Sequence, residues 1–503
     1  MQFGDAKLLS GTKSVPAVGK VAARVFKMCS ETSGDRGFSI GILLKKGTLF
    51  LSQDEQKILY SNRCIRYNEY NRRPLKSSKG AGQMKQNKWL APVTAVALLG
   101  VFLGSMGSQV VAANAVPTVT RVSEVPIPEV PAQVKTAREN GVITAEEWST
   151  YYPEVYASHM ANADNNPQPR VAYPEQDPNI QVLYQGMAFS FDYTEAIGHS
   201  YTLEDIAETT RPHKLANCLT CKTADYTALV NKLGTEAYSL PFEDVVQQMS
   251  ETVSCYNCHG NTPGTIVIES DYMANAMGDE MTAGTVDAIN VSCAQCHIEY
   301  YFDPATKATS VPYDSPDNFD PDSILAYYNE MGFVDFTNEN TGVGMIKVQH
   351  PEFETYTGAG SVHSGTFNCA DCHMGVDYTK KGTPFVSHEF TSPLDNEALV
   401  QSNCAQCHAN LKADVEKIQK EITEKETQVS DLLVELNSKL ADAVASGSLS
   451  EAELAKLRQL DRDAQFYWDF VYVENSEGAH NSKLSRECLG KAETLAKEAL
   501  ALL

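Results

Sequence analysis

Cys218-Leu219-Thr220-Cys221-Lys222 departs by one residue from a pattern that the chain repeats four more times. The other four runs are Cys255-Tyr256-Asn257-Cys258-His259, Cys293-Ala294-Gln295-Cys296-His297, Cys369-Ala370-Asp371-Cys372-His373 and Cys404-Ala405-Gln406-Cys407-His408. Two thiols three residues apart can each add to one vinyl group of a single porphyrin, and the next side chain then lies beneath the ring as the proximal ligand of the iron. C-x-x-C-H is therefore the signature of covalent c-type haem. A lone C-x-x-C pair also reads as a redox disulfide or half a zinc site. With 13 Cys and 11 His in 503 residues, however, a shuffled chain would hold only about 0.01 C-x-x-C-H runs. Zinc also leaves unexplained why a histidine directly follows the second cysteine every time, since zinc-finger histidines lie farther off. The sequence thus predicts five c-type haems, four on His259, His297, His373 and His408 and one on Lys222.

The lysine marks a division of labour. Iron held by two histidines is six-coordinate, passes electrons and has no vacancy for a substrate. A free lysine has a pKa of about 10.4, so presenting its neutral amine near pH 7 costs roughly 4 to 5 kcal/mol before the iron bond offsets it. That expense fits a catalytic haem with one open face; the alternative is a degenerate motif with a distant ligand. Beyond the four proximal histidines there remain His159, His199, His213, His350, His363, His388 and His480. Four distal ligands and one catalytic acid would use five of these seven.

Charge and composition place the working part of the chain outside the cytoplasm. Residues 1–83 carry 15 Lys and Arg against 6 Asp and Glu, so with a total of −23 the remaining 420 residues carry −32. Such an acidic body argues against nucleic acid and would suit a basic redox partner, although it is equally a well-solvated surface. Lys85 and Lys88 precede an apolar stretch from Trp89 to about Leu103, followed by small residues ending at Ala112, Ala113 and Ala115. Residues 84–115 read as a secretory signal peptide cleaved near Ala113 or Ala115; the run is short for a membrane anchor and contains Pro92. Export and haem attachment agree on the periplasm. Residues 1–83 are then an upstream extension that is not translated or is removed. They hold Cys29 and Cys64; the remaining cysteine outside the motifs is Cys488, expected to be a packed thiol.

Residues 116–132, with Pro117, Pro126, Pro128 and Pro131, read as an extended arm. A pentahaem domain is expected over 133–410, where Gly, Pro, Asn, Asp and Thr are frequent and long periodic segments are few. Over 411–503 the pattern changes. Val415, Ile418, Ile422, Val429, Leu432, Leu436 and Leu440 recur at helical spacing, Gly447 ends that helix, and Ser450 with Glu453 forms a capping box for a second helix through Leu454, Leu457 and Leu460. A third covers Leu484 to Leu503. The fold class expected is mainly α with little β: a multihaem cytochrome c with a haem-filled core and long C-terminal helices.

These residues resemble the pentahaem, ammonia-forming cytochrome c nitrite reductases over roughly 150–485. The resemblance rests on the lysine motif, on Cys296-His297-Ile298-Glu299-Tyr300-Tyr301-Phe302 and on Lys347-Val348-Gln349-His350-Pro351-Glu352. It implies that Arg211, Tyr300 and His350 line the distal pocket. It pairs His199 with the haem at Cys293, His388 with that at Cys255, His363 with that at Cys404 and His480 with that at Cys369. It also implies one Ca²⁺ held by the Glu299 carboxylate, the Tyr300 and Lys347 carbonyls and the Gln349 side chain, hard oxygen donors of the kind calcium takes. A homodimer through the C-terminal helices is implied, with a membrane quinol-oxidising or soluble multihaem cytochrome as electron donor. Leu219 departs from the family, which usually has tryptophan there. The activity implied is six-electron reduction of nitrite to ammonium. The competing readings are a multihaem electron carrier in which Lys222 only tunes a potential, and a related oxidoreductase for hydroxylamine or sulfur oxyanions.

Overall fold

The structure, a computed structural model, describes residues 42–45, 48–51 and 121–503 apart from 131–133, 167, 168 and 213. The expected leader at 84–115, most of the upstream extension, the start of the Pro-rich arm, Cys29, Cys64 and His213 lie outside the described residues. Two compact units, Met1–Met106 and Gly107–Leu503, make up the chain. The first contains an antiparallel hairpin of β1 (Ile42–Lys45) and β2 (Thr48–Leu51), in register Ile42 with Leu51.

The second unit is mainly α, as the sequence predicts. Its principal helices are α1 (Pro153–Ala161), α2 (Thr202–Glu208), α3 (Ala224–Leu233), α4 (Asp271–Ala283), α5 (Ala288–Ala294), α6 (Pro321–Met331), α7 (Leu411–Ser446), α8 (Glu451–Tyr472) and α9 (Ser482–Leu502). Strand occurs among the described residues only as two-stranded antiparallel hairpins. One of them, Tyr301–Phe302 with Thr309–Ser310, folds over the first motif: Lys307 O accepts from Asn217 Nδ2 at 3.0 Å, and the Thr309 and Thr220 hydroxyls meet at 3.0 Å.

The helix signals fall where physical chemistry puts them. Gly447 takes the left-handed conformation at φ +62° and closes α7, a turn that costs glycine nothing. Ser450 Oγ accepts from Glu453 N, and Glu453 Oε2 accepts from Ser450 N at 2.8 Å, completing the capping box of α8. Asn481 caps α9, which starts at Ser482, two residues before the expected Leu484, its Oδ1 accepting from Leu484 N at 3.2 Å. The buried stripe of α7 runs Ile422, Val429, Leu433, Leu436 and Leu440, with Leu433 rather than Leu432 fully inside.

The apolar core is contiguous and larger than the loop-rich composition predicts. It joins α7, α8 and α9 to Ile180, Leu183, Met273, Ile324, Tyr328 and Phe353. A smaller cluster of Ile206, Leu219, Tyr226 and Phe242 packs around the first motif, and there Leu219 is fully buried. No helix among the described residues is long and apolar enough to cross a membrane.

Trp468 is the linchpin of the bundle. It is fully buried, stacks on Tyr472 at 4.6 Å and donates from Nε1 to Glu426 O at 3.1 Å. Trp468→Ala is expected to destabilise the protein by about 3–5 kcal/mol, read as a fall in the denaturant midpoint; an unchanged midpoint would mean the bundle does not depend on this contact.

Candidate active site and histidine pairs

Cys218, Cys293 and Cys404 lie in a helix whose following turn carries the second cysteine, while Cys255–His259 and Cys369–His373 each form about one helical turn, so that both thiols share a face. Caps hold these turns. Asn368 Oδ1 accepts from Asp371 N at 2.9 Å, and Asp371 Oδ2 accepts from Asn368 N at 3.1 Å, ahead of Cys369–His373. Ser254 N donates to Asn257 Oδ1 at 2.9 Å ahead of Cys255–His259. No disulfide joins any of the ten motif cysteines. Neighbouring motifs meet through them: Cys221 lies against Cys296 and Cys293 against Cys369, while Cys258 feels the charge of Cys293 and Cys372 that of Cys404. The third motif therefore adjoins the first, second and fourth, and the fifth adjoins the fourth.

The structure brings each motif histidine together with one distant histidine. Ring centroids lie 6.4 Å apart for His297 and His199, 6.3 Å for His259 and His388, 5.9 Å for His373 and His480, and 5.9 Å for His408 and His363. Two metal–imidazole bonds of about 2.0 Å plus the inner halves of two rings span roughly 6 Å, so each gap fits a bis-histidine iron. Nδ1 is occupied on several rings: His259 faces Thr265 O at 2.9 Å, His388 faces Val386 O at 3.0 Å, His373 faces Thr391 O at 3.1 Å and His480 faces Glu474 Oε1 at 2.6 Å. That leaves Nε2 free to ligate. Burial lowers the pKa of His388 and His373 to about 4 and of His199 to about 3, which keeps these imidazoles neutral as ligation requires. His297 and His480 are shifted upward instead. Burial lowers both, but Glu352 beside one and Glu474 beside the other reverse the sign.

His350, Tyr300 and Arg211 gather around the first motif. Arg211 follows α2; its guanidinium lies 4.0 Å over the Phe189 ring, Nη2 donates to Asp192 O at 3.5 Å, and Nε is buried with no partner. Asp192 also accepts from Thr210 N and, at 2.9 Å, from its hydroxyl, which fixes the segment that carries the arginine. Tyr300 feels Cys221, Cys218 and Arg211, and burial first of all holds its phenol well above the usual range. His350 is tied by its backbone N–H to Ile298 O at 3.2 Å. Burial, with Lys222 among the cations near it, lowers its pKa to about 4. Lys222 itself is half-buried, and its carbonyl accepts from Thr202 Oγ1 at 2.6 Å. Of the two remaining histidines, His159 lies on α1 and is lowered by burial alone, and His213 is outside the described residues.

Behind Tyr300 lies the group expected to hold calcium. Gln349 N donates to Glu299 Oε2 at 2.6 Å, and Gln349 Nε2 donates to Lys347 O at 2.8 Å. Glu299 Oε1 accepts from Tyr328 OH at 2.8 Å. The Lys347 ammonium is buried against Asp469 Oδ1 at 3.3 Å, and Asp469 also accepts from Val348 N and from the Tyr184 hydroxyl. Burial pushes Glu299 well above the carboxylate range, with Glu354 and Asp335 adding to it, and Glu354 rises to about 8. Glu354 Oε2 is buried without a partner. Three buried acids, Glu299, Glu354 and Asp469, thus lie around one buried ammonium, a balance that a divalent cation would correct. Among the described residues no three His, Cys, Asp or Glu side chains cluster to hold a metal, so such a site would join the single Glu299 carboxylate to carbonyl and amide oxygens, with the Gln349 amide rotated to present its oxygen. Asp469, Glu354, Glu352, Glu474 and Asp192 escaped sequence reasoning, because an isolated acid carries no signal of burial.

A family model described as cytochrome c552 matches residues 144–503. The solved structure of the cytochrome c nitrite reductase from Desulfovibrio desulfuricans ATCC 27774, a catalytic subunit with two calcium sites, matches with a TM-score of 0.61 and 26% identity over 71% of this chain and 85% of that one. The outer cell wall cytochrome OcwA matches at 0.32 and 18% identity, over 65% and 50% of the two chains. An undecahaem cytochrome from the S-layer of Carboxydothermus ferrireducens matches at 0.30 and 15%, over 61% and 41%.

Glu299 offers a direct test of the cation. Without calcium, Glu299→Gln is expected to leave stability unchanged or raise it, since it removes a carboxylate that burial penalises. Added calcium should raise the melting temperature of the parent protein and not of the variant. Equal responses would exclude Glu299 as a ligand.

Proposed function

Because the chain belongs to the cytochrome c552 family, we propose that it reduces nitrite to ammonium at a haem carried by Cys218 and Cys221 with Lys222 as proximal ligand. Four further haems, each between two histidines, would feed it electrons. The observation that supports this most directly is the asymmetry among the motifs: each motif ending in histidine has a second imidazole about 6 Å away, whereas Arg211, Tyr300 and His350 gather at the one ending in lysine. Bound there, the haem would supply an open iron face for the nitrogen of nitrite and the electrons that weaken its N–O bonds.

The chain's own groups do the rest. Arg211 would supply positive charge to the pocket, and its Nε, buried without a partner, is a donor left for an anion. Tyr300 and His350 hold protons next to the leaving oxygens. With a pKa near 4, His350 is neutral at pH 7 before substrate enters. A bound anion would raise that value and let the imidazole take up the proton it later gives. Overall, nitrite, six electrons and eight protons yield ammonium and two waters.

The reading extends to calcium beside Tyr300 as a brace for the 347–350 segment, and to a homodimer through the face of α7 to α9. It also extends to a periplasmic location behind a cleaved leader and an electron-donor cytochrome that the acidic body would attract.

Ammonium formed per nitrite with a reduced viologen dye, together with haem per chain by mass, tests the proposal. One ammonium per nitrite and five haems are expected; electron transfer without ammonium would leave only a carrier. His350→Asn should cut turnover at least about 100-fold with the haem count still five.

Nitrite affinity should rise as pH falls from 6.5 toward 4, because binding takes up the proton that His350 lacks in the free enzyme. This dependence should vanish in His350→Asn, and if it persists there the proton goes elsewhere.

A further inference from the structure

The imidazoles that face one another across the expected haem sites differ in what holds their Nδ1. At His259, His388 and His373 the acceptor is a neutral backbone carbonyl, at 2.9, 3.0 and 3.1 Å. At His480 it is a carboxylate, Glu474 Oε1 at 2.6 Å. Glu474 is 3% exposed and lies in the turn between α8 and α9. Ser476 clasps it, donating from Oγ to Oε2 at 2.5 Å and from N to Oε1 at 3.4 Å, and Ser476 Oγ in turn accepts from His480 N at 2.9 Å. The turn thus closes on itself and sets both the position and the tilt of the ring. At His297 a second carboxylate, Glu352 Oε2, stands 3.8 Å from Nδ1, an ion-pair distance beyond a hydrogen bond.

A carboxylate accepting from Nδ1–H draws that proton toward itself and makes Nε2 a stronger donor, which favours ferric over ferrous iron. Its negative charge, in a site where water screens little, acts in the same direction. We propose that Glu474 is a positioning residue that sets a reduction potential: through His480 it holds the haem at Cys369 and Cys372 at a lower potential than a neutral acceptor would. The consequence is a graded relay, with a carboxylate-tuned member beside the third motif instead of four equivalent wires. This inference rests on the ligation reading above, and the experiment separates the two.

The measurement is a spectroelectrochemical titration of the holoenzyme with a count of low-spin haems. In Glu474→Gln, which keeps an acceptor oxygen but removes the charge, four low-spin haems should remain. One of them should shift its ferric to ferrous equilibrium at least tenfold toward ferrous, an upward move of about 59 mV for one electron. Ser476→Ala, which strips a donor from the carboxylate and makes it a stronger acceptor, should move the same haem the opposite way. A merely structural role for the turn does not predict opposite signs. Less than a twofold change in Glu474→Gln with all low-spin signals intact overturns the inference and spares the ligation reading. A parent protein whose haem at Cys369 is not low-spin overturns both. If Glu474→Gln sheds that haem, Ser476→Ala decides alone, and no shift or an upward one there refutes the proposal.

Discussion

A buried imidazole must do something with two nitrogens, and much of this structure follows from how that demand is met. Several of the paired rings give Nδ1 to a backbone carbonyl or a carboxylate and turn Nε2 toward another ring about 6 Å away. Under the proposed ligation a flat, metal-bearing group would lie between the rings, and the short turns that carry the cysteines would anchor it. Packing follows the same logic: the apolar core gathers around α7 to α9 and the segments they cover, while the outlying motifs lie where polypeptide alone builds no large cluster.

The anchoring half of each site was legible because covalent attachment forces two thiols and a proximal ligand into five consecutive residues. The long helices were legible too, since periodicity and caps are local properties. Even there the stripe of α7 settled one residue away at Leu433, because the neighbouring helices choose the angle at which the stripe faces inward. The far half of each site was not local. His199 and His297, or His373 and His480, meet only through the fold, and no spacing rule joins them; resemblance to a family supplied those pairings.

The buried acids were illegible for a different reason. Asp469 sits in α8 among residues that read as an ordinary charged helix, yet it receives the Lys347 ammonium, the Val348 amide and the Tyr184 hydroxyl in a fully buried setting. Glu354 follows His350 by four residues and looks like surface charge, yet it accepts from Glu299 N and Tyr313 OH. Nothing in the identity of an aspartate or glutamate announces burial. What it does here becomes visible only when its partners, drawn from other parts of the chain, are in place. Through Asp469 the C-terminal bundle also grips the segment that leads to His350, so the two regions separated by composition work as one body.

The contact order of the motifs carries one more implication. Because the third motif adjoins the first, second and fourth, haems bound as proposed would form a junction with two inbound branches and a single outlet toward Lys222. Damage confined to the second motif would leave the route through the fourth and fifth open, and the reverse holds as well. Loss of the Cys293–His297 node would strand the terminal site however well the branches conduct, so redundancy is built into the inputs and withheld from the last relay.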